Sequence, residues 1–176
     1  MPLPRADVHE NSEKLVVDLL RRVGKPGLRV LDVGSLDVNG TYRPLVERFG
    51  MTYVGVDAEP GENVDLVGSA YHLPDSLGEF DLVLSGQTLE HLTLPLLAVE
   101  EMKRVCRIGG WVLLVAPFFF HEHRFPVDCW RFLPDGLRFL LEGFDDLDAG
   151  LVHGDCFGLG RKPAGYTSAW RIERLR

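Results

Sequence analysis

The stretch Val30–Gly40, VLDVGSLDVNG, decides how the rest of the chain is read. It opens as the apolar run of a buried strand, carries an aspartate at its end, and then enters a loop through Gly34. An acid at a strand end followed by a glycine is how a doubly wound sheet opens a nucleotide-cofactor site. The spacing is unusual, because Ser-Leu-Asp-Val-Asn separates Gly34 from Gly40. Neither GxGxxG nor GxGxG is present.

Outward from this stretch, short apolar runs alternate with helical spacing. Leu45, Val46 and Phe49 mark a short helix, TYVGVD a second strand, VDLVG a weaker third and FDLVLSG a fourth. Leu94 to Arg107 reads as a helix with Pro95 in its first turn, and Gly109-Gly110 as the turn into a fifth strand, WVLLVAP. Upstream, Leu15, Val16, Leu19, Leu20 and Val23 keep helical spacing behind Ser12, whose side chain suits an N-cap. Strands that are nearly all apolar and separated by helices form a parallel sheet covered on both faces, with right-handed crossovers. Beyond Pro117 lies an aromatic, histidine-bearing connection, FFFHEHRFPVDCWRF, then a short helix in PDGLRFLLE. Two last strands, spanning about Asp146 to Arg161 and joined near His153-Gly154-Asp155, form a hairpin expected to put an antiparallel strand on the sheet edge. The expectation is an α/β, doubly wound, mostly parallel seven-stranded sheet with a C-terminal antiparallel hairpin, in one domain over 1–176.

Composition narrows the function classes. The chain has 176 residues, 45% of them hydrophobic and 26% charged, as in an ordinary globular protein. No apolar run approaches the roughly 20 residues of a membrane span, and MPLPRADVHE lacks an apolar signal core, so a cytoplasmic protein is expected. Cys106, Cys129 and Cys156 are odd in number and widely spaced, which argues against a disulfide framework and a zinc site. A net charge of -7 argues against a large nucleic-acid footprint. Arg161, Lys162, Arg171, Arg174 and Arg176 read as a solvated end or a subunit contact, consistent with a monomer or homodimer.

Ligands of an open parallel sheet bind at the carboxyl ends of its strands, near the point where strand order reverses. Asp32 and Gly34 close the first strand, and glycine lets the backbone approach a ligand. Asp57 closes the second, where a carboxylate can accept both hydroxyls of a ribose. Ser69 and Ala70 follow the third strand; Ser85, Gly86 and Gln87 follow the fourth. Glu90 and His91 open a helix-like stretch, where a glutamate suits the helix dipole.

These strings, with SAYHLPDSLGEFDLVLSGQTLEHL and MKRVCRIGGWVLLVAPF, resemble the successive motifs of class I S-adenosylmethionine-dependent methyltransferases of the type 11 kind, over about Val30 to Pro117. FPVDCWRFLPDGLRFLLEGF is similar to a segment of one subgroup, with Cys129 where that subgroup has tyrosine and a loose association with surface-glycan enzymes. The resemblance implies the Rossmann-like methyltransferase fold and S-adenosylmethionine as cofactor. It places Asp32 and Gly34 against the methionine part, Asp57 on the ribose, Ala58 and Ser69 by the adenine, and Ser85 and Gln87 under the sulfonium, with Ser35 and Ala70 as further cofactor-binding residues. Leu36 stands where the family has a glycine, and Ser69 where many members place an aspartate.

Methyl transfer needs mainly alignment of a nucleophile with the methyl, and a hydroxyl acceptor also gains from a base. His121, His123 and Asp128 are the candidate bases, and Trp130 and Arg131 the candidate contacts to a small-molecule or glycan-like acceptor. His-x-His with Asp128 lacks a secure third ligand, so no metal is expected. Phe118 to Phe120, Phe125 and Trp130 suit core and lid walls, and Asp128 with Arg131 also reads as a structural ion pair. The competing readings are a catalytically weak cofactor-binding partner subunit and a NAD(P)-dependent oxidoreductase. The latter lacks GxGxxG and any tyrosine followed four residues later by lysine.

Overall fold

A computed structural model describes residues 8–38 and 40–168, with side chains from Ser12 onward. Asn39, Arg171, Arg174 and Arg176, noted above, lie outside the described residues. In chain order the elements are α1 (Val8–Val23), β1 (Arg29–Val33), α2 (Arg43–Arg48), β2 (Thr52–Asp57), β3 (Leu66–Val67), β4 (Phe80–Gly86), α3 (Pro95–Val105), β5 (Cys106–Pro117), α4 (Pro134–Leu140), β6 (Asp145–Val152) and β7 (Asp155–Arg161). The strands form one sheet in the order β3-β2-β1-β4-β5-β7-β6. Pairs among β1 to β5 are parallel, and β7 runs antiparallel to both β5 and β6.

The near-continuous apolar character of the strands follows from burial on both faces. Val30, Leu82, Leu84, Leu113, Val115 and Leu159 pack with Leu15, Val16, Leu19 and Leu20 of α1 and Val46 of α2. Their alternates Leu31, Val33, Val83, Val112 and Leu114 pack with Val99 and Met102 of α3 and Leu137 and Leu140 of α4. The period of two along each strand therefore feeds two separate cores. No described helix is long and apolar enough to cross a membrane.

Three expectations change. Helix α1 starts a turn earlier than the sequence suggested, so Ser12 is inside the helix; its buried hydroxyl donates to Asp155 Oδ2 at 2.5 Å instead of capping. Strand β5 begins directly at Cys106, so Gly109-Gly110 lies within the strand. There Gly109 takes φ +76°, and the β4–β5 register shifts between Phe80 and Leu82. A left-handed glycine admits such an irregularity at low cost. Finally, the antiparallel strand is not at the edge: β7 pairs with β5 along its full length, from Trp111↔Arg161 to Pro117↔Asp155, and leaves β6 outermost. That register brings Asp155 to the carboxyl end of the parallel strands.

Candidate active site

Strand order reverses between β1 and β4, so the crevice of interest lies beyond Val33 and Gly86. The loop after β1 is pinned there. The Gly34 and Ser35 amides both donate to Val56 O, at 2.8 and 3.2 Å. Gly34 has φ +87°, and a Cβ on it would stand 2.1 Å from Thr88 Oγ1. No other residue fits. Gly34→Ala is expected to lower stability by about 2–4 kcal/mol, summing left-handed strain and overpacking, as a urea titration would read.

Asp57 holds the far side of the same loop. Its Oδ2 accepts the Leu36 amide and its Oδ1 the Glu59 amide, both at 3.1 Å. Two of the roughly four lone-pair sites of the half-buried carboxylate are thereby used. Leu36, where the resemblance implies a glycine, packs over Gly61, where a Cβ would meet Leu36 Cδ1 at 2.3 Å. Asp37 accepts the Gly40 amide at 2.7 Å and Asn63 Nδ2 at 3.3 Å, which fastens the loop from below. The longer loop thus has its own carboxylates to fix its path.

Beneath it, Asp32 is buried, and Tyr53 donates to its Oδ2 at 2.6 Å. Burial, only partly offset by that bond, pushes its carboxyl up to about 7. Asp32 Oδ1, Ser35 Oγ and the Tyr42 hydroxyl are buried with no hydrogen-bond partner among the described residues. Because the folded pKa is raised, Asp32 stabilises the ligand-free fold most below its ordinary value and loses that contribution as pH climbs towards 7. The full difference corresponds to at most about 4 kcal/mol. Asp32→Asn, which keeps an acceptor for Tyr53, is therefore expected to raise the Tm of the ligand-free protein at pH 8 and not at pH 4.

The other strand-end residues divide. Ser85 is fully buried and donates to Val33 O at 2.9 Å, so it ties β4 to β1 and does not line the floor as the resemblance implied. Gln87, at φ +54°, donates to Ser12 Oγ at 3.1 Å and Asp155 Oδ1 at 2.9 Å, joining α1, β4 and β7 at the crevice. Ala58 and Ser69 are exposed on the rim beyond β2 and β3, where Ser69 Oγ accepts the Tyr71 amide; Ala70 packs against the core.

A second group of side chains stands just past β4. Glu90, in the short turn Leu89–His91, is fully buried, and neither carboxylate oxygen has a hydrogen-bond partner among the described residues. Burial pushes its carboxyl up to about 8. His91 Nε2 lies 3.7 Å and His123 Nε2 3.9 Å from Glu90 Oε1. The segment after β5 folds back onto this turn, with the Cys129 amide donating to Glu90 O at 2.7 Å. His121 is exposed, its ring centroid 6.4 Å from that of His123.

Asp128 cannot serve as the base proposed for it. Both its oxygens accept from Arg131, at 2.5 and 2.7 Å, and Oδ2 also accepts the His123 amide at 2.8 Å. The Arg131 guanidinium holds its carboxyl well below the usual range. Arg131 also donates to the carbonyls of Phe120, His121 and Trp130, so it fastens the connection and is not free for an acceptor. The ion-pair alternative describes both residues. Trp130 donates to Leu92 O at 2.7 Å and remains 45% exposed, which leaves ring surface for stacking. Glu90 was missed as a site residue because an acid near a helix start has an ordinary explanation; the adjacent Glu-His pair directly after a strand end was the available signal.

Residues 31–114 match the family model described as a methyltransferase domain. An uncharacterized methyltransferase of Mycobacterium sp. (strain KMS) is 34% identical over 131 residues, covering 64% of this chain and 51% of that protein. The chain thus spans about half the length of the curated relatives it matches. The fold is shared with a SAM-dependent methyltransferase from Archaeoglobus fulgidus, at TM-score 0.66 and 17% identity over 85% of this chain and 94% of that one. It is shared equally with the [4+2]-cyclase SpnF, at TM-score 0.70 and 19% identity over 93% and 86%. Over about half of its length the chain is thus similar to methyltransferases, and its sheet has the fold of an S-adenosylmethionine-dependent one.

Proposed function

We propose that the chain binds S-adenosylmethionine across the carboxyl ends of β1, β2 and β4 and directs its methyl group to a small-molecule or glycan-like acceptor. The observation that carries the reading is the set of unpartnered buried polar atoms at this edge, Asp32 Oδ1, Ser35 Oγ and the Tyr42 hydroxyl, beside a half-used Asp57 carboxylate. Buried polar groups are ordinarily satisfied, so such a cluster suits a polar ligand. Fold alone would not decide it, since a cyclase shares the architecture.

The residues fit the cofactor. Asp57 suits ribose hydroxyls and Asp32 the cationic amino-acid end, with Ser35 between them and the Ala58–Ser69 rim open to the base. When bound, S-adenosylmethionine supplies a methyl on a sulfonium leaving group. This chain has to position the acceptor, exclude water and take up a proton if the acceptor is a hydroxyl. Among the residues expected for that last task, His123 is the suitable one: it is half-buried, burial lowers its pKa, and its Nδ1 is held by His121 O beside Asp128. Trp130 offers a stacking face for a ring or sugar acceptor. Incubation with labelled cofactor and cell extract tests the reading: label should pass to a small-molecule or glycan fraction, and no transfer from a protein that binds the cofactor would favour a binding subunit.

A further inference from the structure

We infer that Glu90, His91 and His123 form a binding site for one divalent first-row transition-metal ion, with zinc the best match to the ligand set. Sequence spacing pairs His121 with His123 and offers no third ligand. Folding instead sets one atom from each of Glu90, His91 and His123 within 4.8 Å of one another.

Hydrogen bonding decides what those atoms are. His91 Nδ1 lies 2.6 Å from Val127 O, and a carbonyl only accepts, so that nitrogen carries the proton. His123 Nδ1 lies 3.3 Å from both His121 O and Asp128 Oδ2, again acceptors only. In the neutral rings both Nε2 atoms are therefore lone pairs, and both face Glu90 Oε1. Once Glu90 is ionised, three acceptors converge with no donor between them, in a place shut off from water. A cation at their centre turns that repulsion into attraction.

The surroundings match what a metal site requires. Ligating histidines nearly always donate their other ring N–H to a carbonyl or carboxylate, which sets tautomer and ring angle. Val127 O does this for His91 and His121 O for His123, and the Asp128 carboxylate, anchored by Arg131, lies 3.3 Å from the same His123 nitrogen. Two imidazoles and one carboxylate with an open position are the donor set of zinc centres that act on a substrate. Bonds of about 2.0–2.1 Å place tetrahedral ligand atoms about 3.3 Å apart, so the 3.7 and 3.9 Å pairs need to close by only a few tenths of an ångström. His91 and His123 keep 16% and 31% of their side-chain surface, leaving one side of the cluster approachable. Within the methyl-transfer reading, on which this role rests although the binding does not, an acceptor hydroxyl on the open position would be acidified by the ion. His123 would then act as ligand and not as base.

The test uses the chain alone, without cofactor. After chelation and dialysis against Zn2+, elemental analysis should find one zinc per chain, and zinc should raise the Tm. Glu90→Gln, His91→Ala and His123→Ala should each weaken zinc binding by about 100-fold or more, and Asp128→Asn by about 10- to 100-fold as an outer partner. Cys129→Ser should keep full affinity, since Cys129 is an exposed thiol beside the cluster. Cobalt in the wild-type chain should give visible absorption without a thiolate charge-transfer band, a readout that survives any variant that fails to fold. Absence of stoichiometric zinc, undiminished binding in folded ligand variants, or a thiolate band would overturn the site. Any of these would leave cofactor binding and methyl transfer standing, because neither enters the measurement.

Discussion

His123→Ala is expected to lose roughly 10² to 10⁴ in turnover while retaining cofactor affinity and the Tm of the metal-free chain, the range for removing a group that handles the acceptor proton. The expectation rests on a ring that is half-buried, held at Nδ1 by His121 O beside Asp128, and aimed at the orphan Glu90 carboxylate. A loss of this size follows whether the ring takes the proton itself or helps hold an ion that acidifies the acceptor hydroxyl so that water takes its proton. His121→Ala supplies the contrast, because His121 is exposed and meets Phe120 ring to ring at 4.0 Å without an oriented nitrogen. Its turnover should stay within a few-fold of wild type. Equal turnover in both variants would make the connection after β5 a scaffold and move the acceptor wall elsewhere.

Asp57→Ala should weaken S-adenosylmethionine binding by more than tenfold. Each charge-assisted hydrogen bond from a ribose hydroxyl contributes about 1.5 to 3 kcal/mol, and the half-buried carboxylate has two acceptor positions left after serving Leu36 and Glu59. Those two amides complicate the variant, since their loss also loosens the loop after β1. Asp57→Asn separates the effects, because its carbonyl can still accept one amide. If the ribose assignment holds, the asparagine variant keeps most of the stability lost in Asp57→Ala yet remains weak in binding. A folded alanine variant with unchanged affinity would remove Asp57 from the cofactor site.

Much of the fold could be read from the chain because each strand carries its burial in its composition. Leu31, Val83 and Leu114 face one core, and Val30, Leu84 and Leu113 the other, so runs without polar interruption could only be strands covered twice. Strand-terminal Asp32 and Asp57 were legible for the same reason, as the first polar residues after such runs. What escaped depends on contacts across the sheet. Ser12 looks like a cap until Asp155 arrives from 143 residues away to accept its hydroxyl. Ser85 looks like a pocket residue until its hydroxyl turns to Val33 O. Asp128 and Arg131, three residues apart, satisfy each other and brace His123 from behind, whereas Glu90 gains its environment only when the segment 121–131 folds over it. Local pattern reports periodicity and strand ends; it does not report which polar groups will find partners.

Titration calorimetry of the wild-type chain with S-adenosylhomocysteine and, separately, with NAD tests the account most directly. Both ligands offer a ribose to Asp57, but only the first carries the amino-acid end that Asp32 and Ser35 are placed to receive. The account predicts one S-adenosylhomocysteine per chain, binding that strengthens as pH rises through about 7 and Asp32 ionises, and no NAD binding of comparable strength. Tighter binding of NAD than of S-adenosylhomocysteine would contradict it.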